Sequence, residues 1–293
     1  MQYYLLVLAA TLLLAVDFSL NKVYQKRAGV SPAASFGFNA ILGLFTAIVF
    51  FVINGFRFEF TTFSAIMAVA MAVTNLLYSV IGLKMLSAGK MAIYTLFLMT
   101  GGMTLPYIWG LLFWDEPFSV LRTIGIILIL GGVVCSNISG GKSEKKSNKY
   151  VILGVLVFVL NGCVSIFSKA HQIEEKFVTV SSQGFIILSG LAKFIFCAVV
   201  LLFLFKKDEN SVKALPFKRI VLIIAGSALI GGVSYLFQLV GAENLPATVL
   251  YPLVTGGSIV FSTLAGWILF REKPNARIWI GVALCVAGTF FFL

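Results

Sequence analysis

Charged residues are scarce in this chain. They make up 11% of its 293 residues, where a water-soluble domain carries about a quarter. That is too little polar side chain to cover a surface facing water, so hydrocarbon must surround much of it. Histidine is limited to His171, which leaves no HExxH motif and no His/Ser/Asp constellation for hydrolysis. No DxxxD-type pair of acids is present either. A membrane-embedded enzyme acting on lipid or prenyl substrates would need one of these sets, so no enzymatic activity is expected. The four cysteines (Cys135, Cys163, Cys197, Cys285) show no CxxC or CxxH spacing and fall within apolar stretches. Neither a zinc site nor a disulfide framework is expected, and no cofactor is called for. A basic n-region is missing ahead of Tyr3–Lys22, so this stretch reads as a first span and not as a cleavable signal.

What fills the chain is hydrocarbon: 60% of residues are hydrophobic and the mean hydropathy is +1.02. Runs such as Ile124–Val134, Val151–Leu160 and Phe194–Phe205 lie inside apolar stretches near the roughly 20 residues that a bilayer span requires. They show no apolar/polar alternation, so they are helices and not barrel strands. Spans are predicted near 3–22, 35–52, 63–83, 91–113, 120–138, 150–168, 184–205, 220–240, 248–270 and 278–293. The expectation is an all-α, multi-pass protein of a plasma membrane, bacterial by type, with ten transmembrane helices and the lipid bilayer as its main partner. The net charge of +11 then reflects loops held on one membrane face and not nucleic-acid binding.

The chain also repeats itself. NKVYQK (Asn21–Lys26) reads against SKAHQI (Ser168–Ile173), preserving Lys22/Lys169 and Gln25/Gln172. Gly37-Phe38 meets Gly184-Phe185, and Gly43-Leu44 meets Gly190-Leu191. MTGG (Met99–Gly102) meets VTGG (Val254–Gly257), GLLFWDE (Gly110–Glu116) meets GWILFRE (Gly266–Glu272), and Gly125 and Gly132 meet Gly281 and Gly288. Matches that keep their order across five helices define a first repeat over 1–139, a basic linker over 140–149 and a second repeat over 150–293. Five is odd, so the second repeat enters the membrane from the opposite side. Two inverted five-helix repeats are the plan of secondary transporters, with the substrate site near the midplane between them.

Loops following the odd-numbered helices carry seventeen of the lysines and arginines, from Lys22, Lys26 and Arg27 to Arg271, Lys273 and Arg277. The opposite face has four (Arg57, Arg122, Lys169, Lys176), and Lys193 lies within a span. The positive-inside rule puts the basic face in the cytoplasm and both termini outside.

At these residues the chain resembles the drug/metabolite transporter superfamily in its ten-helix EamA-type form. The resemblance covers essentially the whole chain. It is carried by the G-x5-E ends of the fourth and ninth helices (Gly110 to Glu116, Gly266 to Glu272), the lysine closing each first helix (Lys22, Lys169) and the Tyr-Pro-Leu-Val-Thr opening of the ninth (Tyr251–Thr255). It implies secondary transport of small organic solutes such as amino acids, nucleotide sugars, organic phosphates or cations. Two departures stand out. The related small multidrug resistance proteins carry a membrane glutamate eight residues before the first-helix lysine, where this chain has Leu14 and Asn161, so their proton exchange is not carried over. Ten-helix members usually keep both termini in the cytoplasm, against the charge count here.

Candidate site residues follow from polar groups inside apolar spans. Lys193, flanked by GFIILSGLA and FIFCAVVLLF, costs roughly 2.5–3.5 kcal/mol to insert. It is expected to face a cavity for an anionic substrate or a coupling carboxylate, against the alternative of a snorkelling or internally paired lysine. Asp17 is the acid lying well inside a span: a proton or ion carrier, a counter-charge for Lys22, or a partner of Lys193. Asn75, Tyr78, Ser79 and Gly82 share one helical face, as do Ser234, Gln238 and Gly241 on the matching span. With Tyr94, Tyr235 and Tyr251 they are candidates for cavity lining, or for hydrogen bonds between helices. Glu116 and Glu272 read as caps for the helices that follow them.

These readings converge on a secondary transporter of a small metabolite, anionic or zwitterionic, driven by a proton or a counter-substrate and working as a monomer or homodimer. A multidrug or organic-cation exporter and a lipid-carrier flippase on the same scaffold are the alternatives. A channel is disfavoured, because inverted repeats without a charged ring suit alternating access.

Overall fold

A computed structural model of the chain describes residues 1–29, 31–87, 91–137, 148–207 and 217–292. The described residues form ten helices: α1 (Gln2–Ala28), α2 (Pro32–Ile53), α3 (Thr62–Ser87), α4 (Met91–Phe113), α5 (Val120–Asn137), α6 (Asn148–Gln172), α7 (Ser182–Lys207), α8 (Phe217–Asn244), α9 (Ala247–Phe270) and α10 (Ala276–Phe290). Eight are long and apolar enough to cross a membrane, and α5 and α10 are shorter apolar helices. Most of the linker expected over 140–149 lies outside the described residues. Several helices outrun the predicted spans by a turn or more, because the backbone stays helical past the hydrocarbon edge. α1, for example, continues through Lys22, Lys26 and Arg27.

Local chemistry sets the ends. The Ser31 side chain accepts from the Ala34 amide with Pro32 as the first helical residue, and Asn275 accepts from the Ile278 amide. The two G-x5-E segments form the same turn. Asp115 and Arg271 take left-handed φ values of 51° and 53°, which lets the Glu116 and Glu272 amides donate back to the Gly110 and Gly266 carbonyls at 3.1 and 3.2 Å. Each glutamate then folds over its glycine. A Cβ on Gly110 or Gly266 would lie 2.8 or 2.7 Å from that carboxylate, which explains the glycine in both copies.

Packing repeats as the sequence does. α2 lies on α7, α5 on α10 and α4 on α9, while α1 lies on α8 and α9 and α6 on α3 and α4. Exchanging each helix for the one five places along maps these pairings onto one another, the pattern that an internal repeat produces. Glycines mark the crossings. Cβ atoms at Gly125 and Gly288 would lie 2.9 and 2.7 Å from each other's carbonyls, and at Gly132 and Gly281 2.7 Å, so α5 and α10 meet backbone to backbone. The outer surface is apolar: Leu222 is 80% exposed and Leu112 67%, the inside-out distribution of a chain solvated by lipid.

Candidate functional site

The site grows out of the α2–α7 crossing. A Cβ on Gly43 would stand 2.6 Å from the Gly190 carbonyl, and one on Gly190 2.8 Å from the Gly43 carbonyl. Contact this close brings Lys193, three residues past Gly190, against α2. Beside it opens a cavity of about 230 Å³ lined by α2 (Leu42, Gly43, Thr46), α3 (Met71, Ala72, Asn75), α6 (Val164), α7 (Ile186, Ser189, Gly190, Lys193) and α8 (Tyr235). A smaller pocket of about 50 Å³ shares Ala72, Asn75 and Lys193 and adds Phe36, Asn39, Leu76, Tyr78, Ser79 and Cys197. All these additions lie on the basic-face side of the first cavity, so the space runs from the helix midpoints toward that face.

The other side is filled. Phe50, Phe185, Ile186 and Ile187 are buried there with Val180 and Leu239. His171 stacks on Phe185 at 3.7 Å between ring centroids. Its Nε2 lies 2.8 Å from the Ser64 hydroxyl, which also accepts from the Val180 amide at 3.1 Å. Glu59 joins the α2–α3 loop to the start of α7, accepting from the Ser181 amide at 2.6 Å and its hydroxyl at 2.9 Å. The Ser181 amide, with Asn54 and Arg57, holds the Glu59 carboxyl below its ordinary value despite partial burial.

Two polar groups on the cavity wall, Lys193 and Ser189, make no hydrogen bond among the described residues. The Lys193 ammonium lies within electrostatic reach of Cys197 and Asp17, and the buried Ser189 hydroxyl stands one turn before it. Buried polar groups are normally satisfied, so a cation and a free hydroxyl on one cavity wall mark a place for an acceptor-bearing ligand. The Tyr235 hydroxyl pairs with Ser168 at 2.9 Å. Asn75 donates to the Met71 carbonyl at 2.8 Å and accepts from Tyr78 at 2.5 Å.

Asp17 sits one interface away, on α1 against α8. It accepts from Ser227 and from Asn21 (3.2 Å), and its carboxyl lies 3.1–3.2 Å from where a Gly231 Cβ would be. Asp17 and Lys193 attract each other electrostatically.

The structure therefore gathers Lys193, Asn75, Tyr78, Ser79 and Tyr235 around the two cavities. The Tyr94 ring packs over Gly82 beside them. Ser234 donates to the Ala10 carbonyl on α1 at 2.7 Å and Tyr251 to the Ser165 carbonyl on α6 at 2.5 Å, so these two join helices together, while Gln238 donates to Ser234 at 3.3 Å one turn away on α8 itself. Sequence reasoning passed over Asn39, Ser189 and Thr46 as lining. Ser189 was findable, standing four residues from Lys193 on the same helical face, and Thr46 is the repeat counterpart of Lys193. Glu116 caps a helix start, but that of α9, accepting from the Ala247 and Thr248 amides at 2.6 and 2.8 Å; Ser119 serves α5.

Comparison with known proteins agrees with this architecture. A solved crystal structure of another protein superposes with a TM-score of 0.77 at 17% identity, covering 99% of this chain and 96% of that one, which shows the fold alone. Spermidine export protein MdtI of Klebsiella pneumoniae is 37% identical over 71 residues, 24% of this chain and 63% of the relative. Its counterpart in Yersinia enterocolitica is 37% identical over 73 residues, 25% of this chain and 65% of the relative. The chain thus spans just under two thirds of the length of both. The model of the EamA-like transporter family matches residues 148–293. On that match, and with ten apolar helices among the described residues, the chain belongs to the EamA-like transporter family of the drug/metabolite transporter superfamily.

Proposed function

We propose that this protein is a secondary active transporter of a small organic anion or zwitterion, which binds beside Lys193 and crosses by alternating access between two inverted repeats. The observation that carries the reading is the Lys193 ammonium without a hydrogen-bond partner among the described residues, on the wall of a mid-membrane cavity next to the unpartnered Ser189 hydroxyl. A cation within a membrane span is expensive and is retained where it recognises or counterbalances a charge. Asn75 and Tyr235 supply neutral polar contacts, and the Gly43–Gly190 crossing serves as the fulcrum. Asp17, within the electrostatic reach of Lys193, carries the proton or answers a substrate ammonium group. The bias of seventeen basic residues supports a cytoplasmic position for the basic face in a bacterial cell, and with it a cavity that runs toward the cytoplasm.

A second reading, export of an organic polycation, is favoured by the spermidine-exporting relatives. Asp17 would then be the recognising group. Melting temperatures of wild type and Lys193→Ala against organic phosphates, amino acids and polyamines separate the two, since a ligand that binds the folded state alone raises its stability. Anions or zwitterions that stabilise wild type but not the variant support the first reading. Stabilisation by polyamines in both proteins replaces it with the second.

A further inference from the structure

Two copies of one charged device sit at opposite faces of the bundle, and the structure shows them in different arrangements. Each joins a lysine from the first helix of one half to the G-x5-E glutamate of the other half. Lys169 on α6 lies within electrostatic reach of Glu116 after α4, and Lys22 on α1 pairs directly with Glu272 after α9. Repeat register pairs the two lysines, the two glutamates, and the aromatic residue two positions before each glutamate, Trp114 and Phe270. Those aromatics lie beneath their lysines at 5.8 Å for Trp114 and 4.7 Å for Phe270, measured to the ring centroids.

On the sparsely charged face the device is docked. Lys169 is buried and donates to the Ala242 and Leu245 carbonyls at 2.7 and 2.8 Å. Glu116 accepts from the Ala247 and Thr248 amides. The cation therefore sits on the C-terminal end of α8 and the carboxylate on the N-terminal end of α9, where the helix dipoles favour each sign. Together they clamp the α8–α9 corner against α6 and α4. On the basic face the charges are undocked. Lys22 and Glu272 bond to each other, are 38% and 49% exposed, and border a crevice of about 180 Å³ between α1 and α9. The corresponding α4–α6 interface is tied by side-chain hydrogen bonds, Asn161 donating to the Leu98 carbonyl and Ser165 to the Gly102 carbonyl. The cavity beside Lys193 runs toward the undocked side and is filled on the docked side.

We propose that these two lysine–glutamate devices are the gates of the transport cycle and that they dock in alternation. In the conformation opposite to this one, Lys22 moves onto the C-terminal carbonyls of α3 and Glu272 onto the N-terminal amides of α4, near Ala92 and Ile93 by the TGG register. Lys169 and Glu116 then release the α8–α9 corner and pair with each other in water. The direct pair contributes little because it is solvated. Docked charges are desolvated and hydrogen-bonded and hold a face shut. The inference concerns conformation alone and holds whatever the substrate.

The test follows access to one position at each gate in lipid nanodiscs, where both faces meet solvent. Thr248→Cys reports the docked corner and Ser262→Cys the α1–α9 crevice. Each is read by peptide mass spectrometry after a timed pulse of a water-soluble maleimide, so the native cysteines stay in place. In an otherwise native chain Ser262→Cys labels the faster. Glu116→Gln weakens the docked gate and is expected to speed labelling at Thr248→Cys by about tenfold while slowing Ser262→Cys, a population shift of about one order of magnitude. Glu272→Gln weakens the gate of the other state and is expected to do the reverse. Equal acceleration at both positions, faster labelling at Thr248→Cys with Ser262→Cys unchanged, or a shift in the same direction by both variants would reduce the glutamates to local caps. If Glu116→Gln does not fold, Glu272→Gln decides alone: slower labelling at Thr248→Cys upholds the exchange, and any other response overturns it.

Discussion

Gly43 and Gly190 present their carbonyls to each other across the α2–α7 crossing, so that a Cβ on either would stand 2.6 or 2.8 Å from the other's oxygen. Each opposing group is backbone and has no rotamer by which to yield. Gly43→Ala therefore forces the helices apart, and overpacking of this kind costs about 1–3 kcal/mol. The expected result is a lower melting temperature and loss of transport. Gly131→Ala is the control, since its Cβ would meet only a Leu284 methyl at an ordinary 3.7 Å, and it should melt like wild type. Equal stability of the two variants would show that the crossing is looser than described.

Ser189 carries a buried hydroxyl without a partner among the described residues, on the cavity wall one turn from Lys193. Leaving such a group unsatisfied costs about 1–3 kcal/mol, so Ser189→Ala is expected to leave the empty protein as stable as wild type or more so. If the hydroxyl serves the ligand, the same change weakens binding, by roughly a factor of ten for one neutral hydrogen bond. Opposite signs for stability and affinity identify a ligand contact. A parallel fall in both would make Ser189 a packing residue.

Much of this arrangement was legible in the chain, because a bilayer leaves few options for polar groups. Lys193 stood out as a cation in an apolar run, and the paired glycines marked positions common to the two halves, some of which the structure then shows as helix crossings. Helical spacing alone was less able to say which neighbour a face meets. Ser234 and Tyr251 follow the same pattern as the lining residues, yet their hydroxyls reach the Ala10 and Ser165 carbonyls on other helices. Glu116 looked like a cap for the helix after it. The left-handed turn at Asp115 aims it at α9 instead, a contact 131 residues away that no local signal specifies.

Glu59 gives the sparsely charged face a dependence on pH. Its carboxylate accepts the Ser181 amide and hydroxyl, which holds its pKa below the ordinary 4.5. A folded-state pKa below the unfolded value adds stability that is fully present above about pH 5 and is lost as pH falls through the folded value. Melting temperature should therefore decline on acidification below that point. Glu59→Gln should melt lower than wild type at neutral pH and lack that part of the decline. An unchanged acid slope in the variant would assign the decline to other carboxylates.

Asp17 offers the clearest separation of binding from coupling. Its carboxyl is held between Ser227 and Asn21 on the α1–α8 interface, and it does not line either cavity beside Lys193 among the described residues. Asp17→Asn keeps the shape and the acceptor for Ser227 while removing the charge and the titratable proton. If Asp17 carries the coupling proton, proteoliposomes bearing the variant should still exchange labelled substrate for unlabelled substrate across the membrane. They should fail to accumulate it when a pH gradient is imposed, because exchange needs no net proton movement and accumulation does. Accumulation equal to wild type would remove Asp17 from the coupling path. Loss of binding confined to polyamines would make it the recognition group of a cation exporter, with Lys193 then acting to repel the cargo from its site when Asp17 is neutralised.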